Sequence, residues 1–421
     1  MKKKILIIVE NASVPDDLRV WSEAVSLYAN GYDVTILCPR DKQYTRSFEI
    51  IDGIHVYRHP APRQGNGVVG YLVEYMSALF LEFVYAWWIY VKRGFDVIQG
   101  CNPPDNIFLV ALPFKMLGVR YIFDHHDVVP ELYAAKNMKK GLLYSLQCWL
   151  ERLTFFFSDV VISTNGSYRD VATTRGGMNP ADVFVVRNGP DLERVDRVPP
   201  NPSLKYGKPY LVGYVGWMDV QESIDILLEV ALRIKTLGRD DVHFTCVGEG
   251  PQVATLRELV REKHLEGVVN FAGRVSDKEL MEILSTADVC VNPDKPCPMN
   301  DMSTMIKIME YMAWGKPIVQ FDVKEGRVSA GEASLYVTGG DYVADFASKI
   351  LWLLDTPEVR ERMGEYGRRR VENELAWKYS VPNLLAAYDR AFCKGSSSPK
   401  IEPQVLEQTS GEAQGRYEAN N

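Results

Sequence analysis

The chain has no excess of positive charge, no cysteine pair spaced as CxxC, and no long apolar stretch free of carboxylates. Each absence excludes something. With 48 Lys and Arg against 55 Asp and Glu, the net charge is -7. Neutralising a phosphate backbone needs a dense basic surface, so no nucleic-acid partner is expected. Small anionic ligands stay open, because a local site can override the net charge. The seven cysteines are scattered and odd in number, which fits neither a zinc ribbon nor a disulfide framework and points to a reducing, cytoplasmic setting. The segment from Met1 to Val9 has lysines but only a short apolar run before Glu10. It reads as a first buried strand, lacking the apolar region and cleavage signal of a secretory peptide.

What is present is a globular composition, 46% hydrophobic and 24% charged over 421 residues, long enough for two domains. One aromatic-rich segment, Gly70 to Val91, is followed by Lys92 and Arg93 and interrupted by Glu74 and Glu82. Two mid-segment carboxylates are costly in a bilayer core, so a spanning helix is not expected. Two readings remain: a helix partly at a lipid interface, giving a peripheral contact at the inner face of the cell membrane, or a well-buried helix.

Short β-branched runs alternate with helical segments along the first half: Lys4 to Val9, Asp33 to Leu37, Ile54 to Arg58, Val97 to Gln99, Tyr121 to Phe123, Val160 to Ser163 and Val183 to Arg187. That is the pattern of a parallel sheet. Prolines 199, 200, 202 and 209 mark a linker. A second alternating series follows, with strands expected at Tyr210 to Val215, His243 to Val247, Val268 to Phe271, Val289 to Asn292 and Ile318 to Phe321. The expected division is a first α/β domain over 1–191, a linker over 192–208, a second α/β domain over 209–375, a closing helix over 376–393 and a disordered tail over 394–421. Two doubly wound halves would face each other across a ligand cleft at the carboxyl ends of their strands.

The segment Asn292 to Gln320 carries the most chemistry. Ser303 is expected to cap a helix that Gly315 and Pro317 terminate, with Ser303, Lys307 and Glu310 on one stripe. A helix N-terminus offers unpaired N–H groups to a diphosphate, Lys307 adds a full charge, and Glu310 can accept two ribose hydroxyls. From spacing alone, Lys307 and Glu310 read more readily as a solvated face of an ordinary amphipathic helix. GxGxxG at Gly65 to Gly70 follows prolines instead of a strand, so it is read as a flexible loop, not a dinucleotide site.

Glu310-Tyr311-Met312-Ala313-Trp314-Gly315-Lys316-Pro317 resembles the E-A-M-A-x-G-x-P helix of the family 4 glycosyltransferases, retaining enzymes of the GT-B fold. Val247-Gly248-Glu249-Gly250-Pro251, Phe271-Ala272-Gly273-Arg274-Val275, Ala287-Asp288-Val289, His126-Asp127 and Asn188-Gly189 follow the same family order. The loop before the helix reads N-D-x-S-T-M, as in a subgroup. Where the family has an Arg and a Lys for the diphosphate, this chain reads Gly216-Trp217-Met218-Asp219-Val220-Gln221-Glu222-Ser223. Both cations are missing, and Lys307 and Arg274 are the substitutes by position. The family's first glutamate falls at Met302, with Asn300 or Asp301 in its stead.

The resemblance implies donor binding by Gly216, Arg274, Asn300, Asp301, Ser303, Thr304, Lys307 and Glu310. It puts His126 near the reacting sugar, able to donate to that sugar or to charge developing on the leaving phosphate. Asp127 either orients His126, contacts acceptor or caps the next helix, and His125 is read as a packing residue. In the polar loop after the first strand, Asp17 and Arg19 are candidates for the acceptor. The DxD metal motif of the other main glycosyltransferase fold is absent, so neither metal nor cofactor is expected. The expected activity is an EC 2.4 transfer, with retention, from a nucleotide-sugar to a saccharide or lipid-linked saccharide of surface polysaccharide synthesis. The alternative is a catalytically degenerate nucleotide-sugar-binding or scaffold protein.

Overall fold

The computed structural model describes residues 2–61, 67–137, 141–192, 195 and 198–394. Of the expected tail over 394–421 only residue 394 is described, and the rest of it and Gly65-Asn66 of the GxGxxG stretch lie outside the described residues.

Fourteen described strands form two sheets. In the first, β1 (Lys4–Val9), β2 (Asp33–Pro39), β3 (Phe48–Ile51), β4 (Ile54–His59), β5 (Val97–Cys101), β6 (Arg120–His125), β7 (Val160–Ser163) and β8 (Val183–Val185) take the order β3-β4-β2-β1-β5-β6-β7-β8. All pairs are parallel except the edge hairpin β3–β4. In the second, β9 (Tyr210–Val215), β10 (Val242–Val247), β11 (Val269–Gly273), β12 (Val289–Asn292), β13 (Ile318–Phe321) and β14 (Ser334–Val337) run parallel as β11-β10-β9-β12-β13-β14.

The helices of the first half are α1 (Leu18–Ala29), α2 (Gly67–Arg93), α3 (Phe108–Met116), α4 (Val129–Asn137), α5 (Leu142–Phe157) and α6 (Gly166–Thr174). Those of the second are α7 (Ile224–Thr236), α8 (Val253–Glu262), α9 (Asp277–Thr286), α10 (Pro298–Met302), α11 (Ile306–Ala313), α12 (Lys324–Ala330), α13 (Tyr342–Asp355), α14 (Pro357–Arg370) and α15 (Val381–Cys393). No helix among the described residues is long and apolar enough to cross a membrane.

Alternation along β1 explains why both faces of its sheet are covered. Ile5, Ile7 and Val9 join one core with α1, while Leu6 and Ile8 join another with α2 and α3. Side chains of a strand point to opposite faces, so a continuous apolar run such as KILIIV needs a layer on each side. The same division appears in β9, where Leu211 enters one core and Val212 and Tyr214 the other.

The last helix does not stay with the second sheet. Leu384, Ala387, Tyr388 and Ala391 of α15 are buried in the core beneath β1, β2 and α1. The chain thus crosses between the halves twice, and the crossings touch: Trp377 N donates to Pro190 O at 3.1 Å. A Cβ at Gly189 would lie 2.0 Å from Leu375 O, so only glycine fits there.

Each sheet has a switch point where the strand order reverses, between β1 and β5 in the first and between β9 and β12 in the second. Loops leaving neighbouring strands diverge there and open a crevice. Gly216 follows β9, and the β12–α10 loop carries Asp294.

Two expectations change here. The helix expected from Ser303 starts at Ile306, because Ser303 is extended (φ -89°, ψ 133°) and ends α10 instead. The stretch expected to be a loop up to Gly70 is helical from Gly67, the first residue of α2.

Candidate active site

A cavity of about 210 Å³ is lined from both halves of the chain. The first half contributes His126, Asp127, Thr164, Tyr168 and Asn188, and the second Gln221, Glu222, Asp294 and residues of the 299–306 loop.

The 299–306 loop is held by the first domain. Asn165 Nδ2 donates to Met302 O at 2.8 Å and to Thr304 Oγ1 at 2.9 Å, and Tyr168 OH lies 3.1 Å from Ser303 Oγ. Those contacts explain why Ser303 does not cap α11: its hydroxyl is engaged elsewhere. Glu325 of α12 accepts from Ser167 N and Oγ at 3.2 and 2.7 Å, a carboxylate seated at the N-terminus of α6.

Helix α11 begins at the cavity without a side-chain cap, with Met305 as N-cap and no acidic residue in its first turn. Met305 and Ile306 both line the cavity. The first N–H groups of a helix lack internal partners and carry partial positive charge. Lys307 stands at the second helical position, its Nζ 3.3 and 3.4 Å from the Asp294 carboxylate and 3.3 Å from Tyr214 OH. Gly216 makes room for it: a Cβ there would lie 3.3 Å from Lys307 Cε. Burial pushes the carboxyls of Asp294, Glu222 and Glu310 up, with Lys307 pulling each down.

On the opposite wall, His126 Nε2 bonds Asp124 Oδ2 at 2.6 Å, and Asn102 Oδ1 accepts from His126 N at 2.6 Å and Asp127 N at 3.1 Å. Burial opposes protonation of His126, but the Asp124 charge and hydrogen bond outweigh it and raise its pKa. Burial also works against the Asp124 charge, yet Arg19 and His126 hold that carboxyl well below the usual range. His125 is buried and packs against Phe123, Phe155 and Tyr168, its pKa lowered to about 3 mainly by burial.

Asn300 lines the cavity and is buried, its Nδ2 donating to Lys295 O at 2.8 Å. Several other candidates sit elsewhere. Asp301 Oδ1 accepts from Lys324 N at 2.8 Å, at the start of α12. Arg274 is largely exposed and lies 3.5 Å from Asp16 of the first domain, outside the cavity lining. Asp17 caps α1 by accepting from Val20 N at 3.0 Å. Arg19 is buried and bonded to Asp124.

Sequence reasoning missed Asp124, Gln221, Glu222 and Asp294. A signal existed for two of them, since Gln221 and Glu222 fall in the stretch already marked for its missing cations. Cys101, Asp124 and His126 place ligand-type atoms within 4.8 Å of one another. The Arg19 guanidinium, 2.7 Å from Asp124, makes that group a poor host for a cation.

Comparison with known proteins agrees with this architecture. The model of the glycosyl transferase 4-like domain matches residues 18–189, and that of glycosyl transferases group 1 matches 209–356. A glycogen synthase of Mycobacterium tuberculosis is 24% identical over 403 residues, covering 91% of this chain and 92% of the relative. An alpha-maltose-1-phosphate synthase of the same organism is 27% identical over 316 residues, 69% of this chain and 78% of the relative. Among solved structures, a sucrose-phosphate synthase from Thermosynechococcus elongatus superposes with TM-score 0.75 at 18% identity, over 93% of this chain and 100% of that one. Anabaena Alr3699/HepE in complex with UDP-glucose gives 0.67 at 16%, over 92% and 99%. The chain is a glycosyltransferase of the GT-B fold, with a glycosyl transferase 4-like first domain and a group 1 second domain.

Proposed function

We propose that the enzyme transfers a sugar from a nucleotide-diphosphate sugar, with retention, to a saccharide or lipid-linked saccharide of surface polysaccharide synthesis. The observation that carries this reading is the uncapped N-terminus of α11 opening on the cavity with Lys307 at its second position. A diphosphate there meets unpaired N–H groups and one ammonium group. Glu310, one turn on, accepts from ribose hydroxyls, and Asp294 and Glu222 from the sugar. His126 faces the reacting centre from the other wall. In the transfer, the acceptor oxygen bonds the anomeric carbon on the side the diphosphate leaves, the carbon–phosphate-oxygen bond breaks, and the acceptor proton passes to the leaving oxygen.

The test is a thermal-shift screen with UDP, ADP, GDP, dTDP and their common sugar conjugates. One nucleotide family should raise the melting temperature of the wild type by several degrees and leave Glu310→Ala unmoved. No shift with any of them would sink the donor reading and favour a degenerate scaffold.

A peripheral membrane contact belongs to the same proposal. On α2, Val73, Met76, Phe80, Val84, Trp88 and Val91 recur at steps of three and four and are all exposed, with Lys92 Nζ 4.6 Å from the Trp88 ring. Leu142, Leu146, Trp149 and Phe156 form a matching stripe on α5, and α3, which packs on both helices, ends with exposed Met116. Monomers seldom expose apolar area on this scale, and aromatic residues beside lysine suit a headgroup interface. Wild-type protein should float with phosphatidylcholine–phosphatidylglycerol vesicles, and Phe80→Glu/Trp149→Glu should not, at unchanged turnover of a soluble acceptor. A dimer in light scattering that the same substitutions split, without flotation, would assign the face to a second copy.

A further inference from the structure

Arg19 lies on α1 with its side chain 5% exposed, too deep to touch an acceptor. Its Nη2 donates to Asp124 Oδ1 at 2.7 Å and forms an ion pair with Glu23 Oε1 at 3.0 Å, and its Nη1 donates to Val186 O at 2.8 Å and to Asn188 Oδ1. One guanidinium therefore ties together α1, the end of β6 and the segment after β8. Asp124 passes the constraint on through its other oxygen, which meets His126 Nε2 at 2.6 Å and Gln99 Nε2 at 2.9 Å. Gln99 Nε2 also donates to Glu23 Oε2 at 2.6 Å, and its Oε1 accepts from Tyr388 OH of α15. Of all these groups only His126 and Asn188 reach the cavity.

We propose that Arg19 is a positioning residue for the transfer reaction, fixing the His126 imidazole by way of Asp124 and the Asn188 side chain directly. This rests on the cavity being the transfer site. A planar fork can hold acceptors on several elements in fixed directions, whereas a lysine is a single point donor, so the geometry requires arginine. The charged groups around His126 are Asp124 on β6, Arg19 and Glu23 on α1, and Asp17, which caps α1. Asp124 favours its protonation and Arg19 opposes it.

That opposition gives a discriminating experiment on the full chain. Turnover of the sugar nucleotide found in the thermal-shift screen is measured for Arg19→Gln, Arg19→Lys and Asn188→Ala. In parallel the His126 ring is titrated by NMR without substrate, its signal among six histidines assigned with His126→Gln. Removing the cation in Arg19→Gln should move the His126 midpoint to higher pH while kcat falls about 10- to 100-fold, with donor KM within about threefold. Arg19→Lys, which keeps the charge and the better chance of folding, should leave the midpoint near wild type and still lose about 10-fold in kcat. Asn188→Ala should lose part of that. Full activity in Arg19→Lys would overturn the proposal, because charge without the fork would then suffice. Active Arg19 variants beside an inactive His126→Gln would overturn it alone. An active His126→Gln would overturn the reading of the site as well.

Discussion

Asp124→Asn is expected to lower kcat by about 100- to 10,000-fold, the range that spans the contribution of a positioned imidazole and the loss of its orienting carboxylate. The protein should still fold. Arg19 keeps Glu23 at 3.0 Å and Val186 O at 2.8 Å, and Glu23, whose carboxyl is pushed up to about 8 by burial and then by Asp124, ionises more readily once Asp124 is neutral. Without Asp124, His126 feels burial and Arg19, which oppose its protonation against only the weaker pull of Asp17 and Glu23. Its midpoint should fall below the ordinary value near 6.5, and the alkaline limb of the pH–rate profile should move to lower pH. Stability follows the same sign. The raised pKa of His126 contributes stability that is full below about 6.5 and lost as pH rises through the folded value. The depressed pKa of Asp124 contributes stability above about 3.9 that is lost as pH falls. Melting curves of wild type and variant should therefore converge at strongly acid pH. Unchanged kcat with a shifted imidazole midpoint would remove His126 from the chemistry.

Gly248→Ala should damage both stability and donor binding. Gly248 has φ +132°, and a Cβ there would sit 1.9 Å from Gly216 O, a backbone atom that cannot rotate away. Gly216 N is itself bonded to Val247 O at 3.0 Å, and Gly248 N to Gly273 O at 2.9 Å. Relieving the overlap means moving the loop after β9 by about 1 Å, well beyond what close-packed interiors absorb. A loss of about 3 kcal/mol would lower the melting temperature by roughly 4 °C for a chain of this length melting as one unit. Since Gly216 abuts Lys307, the nucleotide-induced shift should shrink as well. A variant that melts like wild type and still answers nucleotide would show the loops to be more yielding than their geometry implies.

How much of this was legible in the sequence depended on whether the signal was local. Lys4–Val9, Tyr210–Val215, Val160–Ser163 and Ile318–Phe321 were read to the residue, because buried parallel strands are continuous apolar runs with polar ends. Phe48–Ile51 and Ser334–Val337 were missed: both are four-residue edge strands, half exposed in the first case, where packing and pairing decide more than composition. Ser303 was read as a cap by its type and spacing, and Tyr168 and Asn165, more than a hundred residues away, override that preference. The same holds for Arg19 and Asp124. Nothing in the strand Arg120–His125 marks Asp124 as the partner of His126, since i and i+2 share a side of a strand only while the strand continues, and it ends between them.

The return of α15 to the first sheet also bears on how the protein is made. Synthesis runs from the N-terminus, and domains ordinarily close in that order. Here the core beneath β1 lacks Leu384, Ala387, Tyr388 and Ala391 until the end of the described chain has emerged. The second sheet, complete at Val337, has all its strands by then. The half that begins first is finished last, and Gln99, beside the catalytic candidate, waits nearly three hundred residues for the Tyr388 hydroxyl.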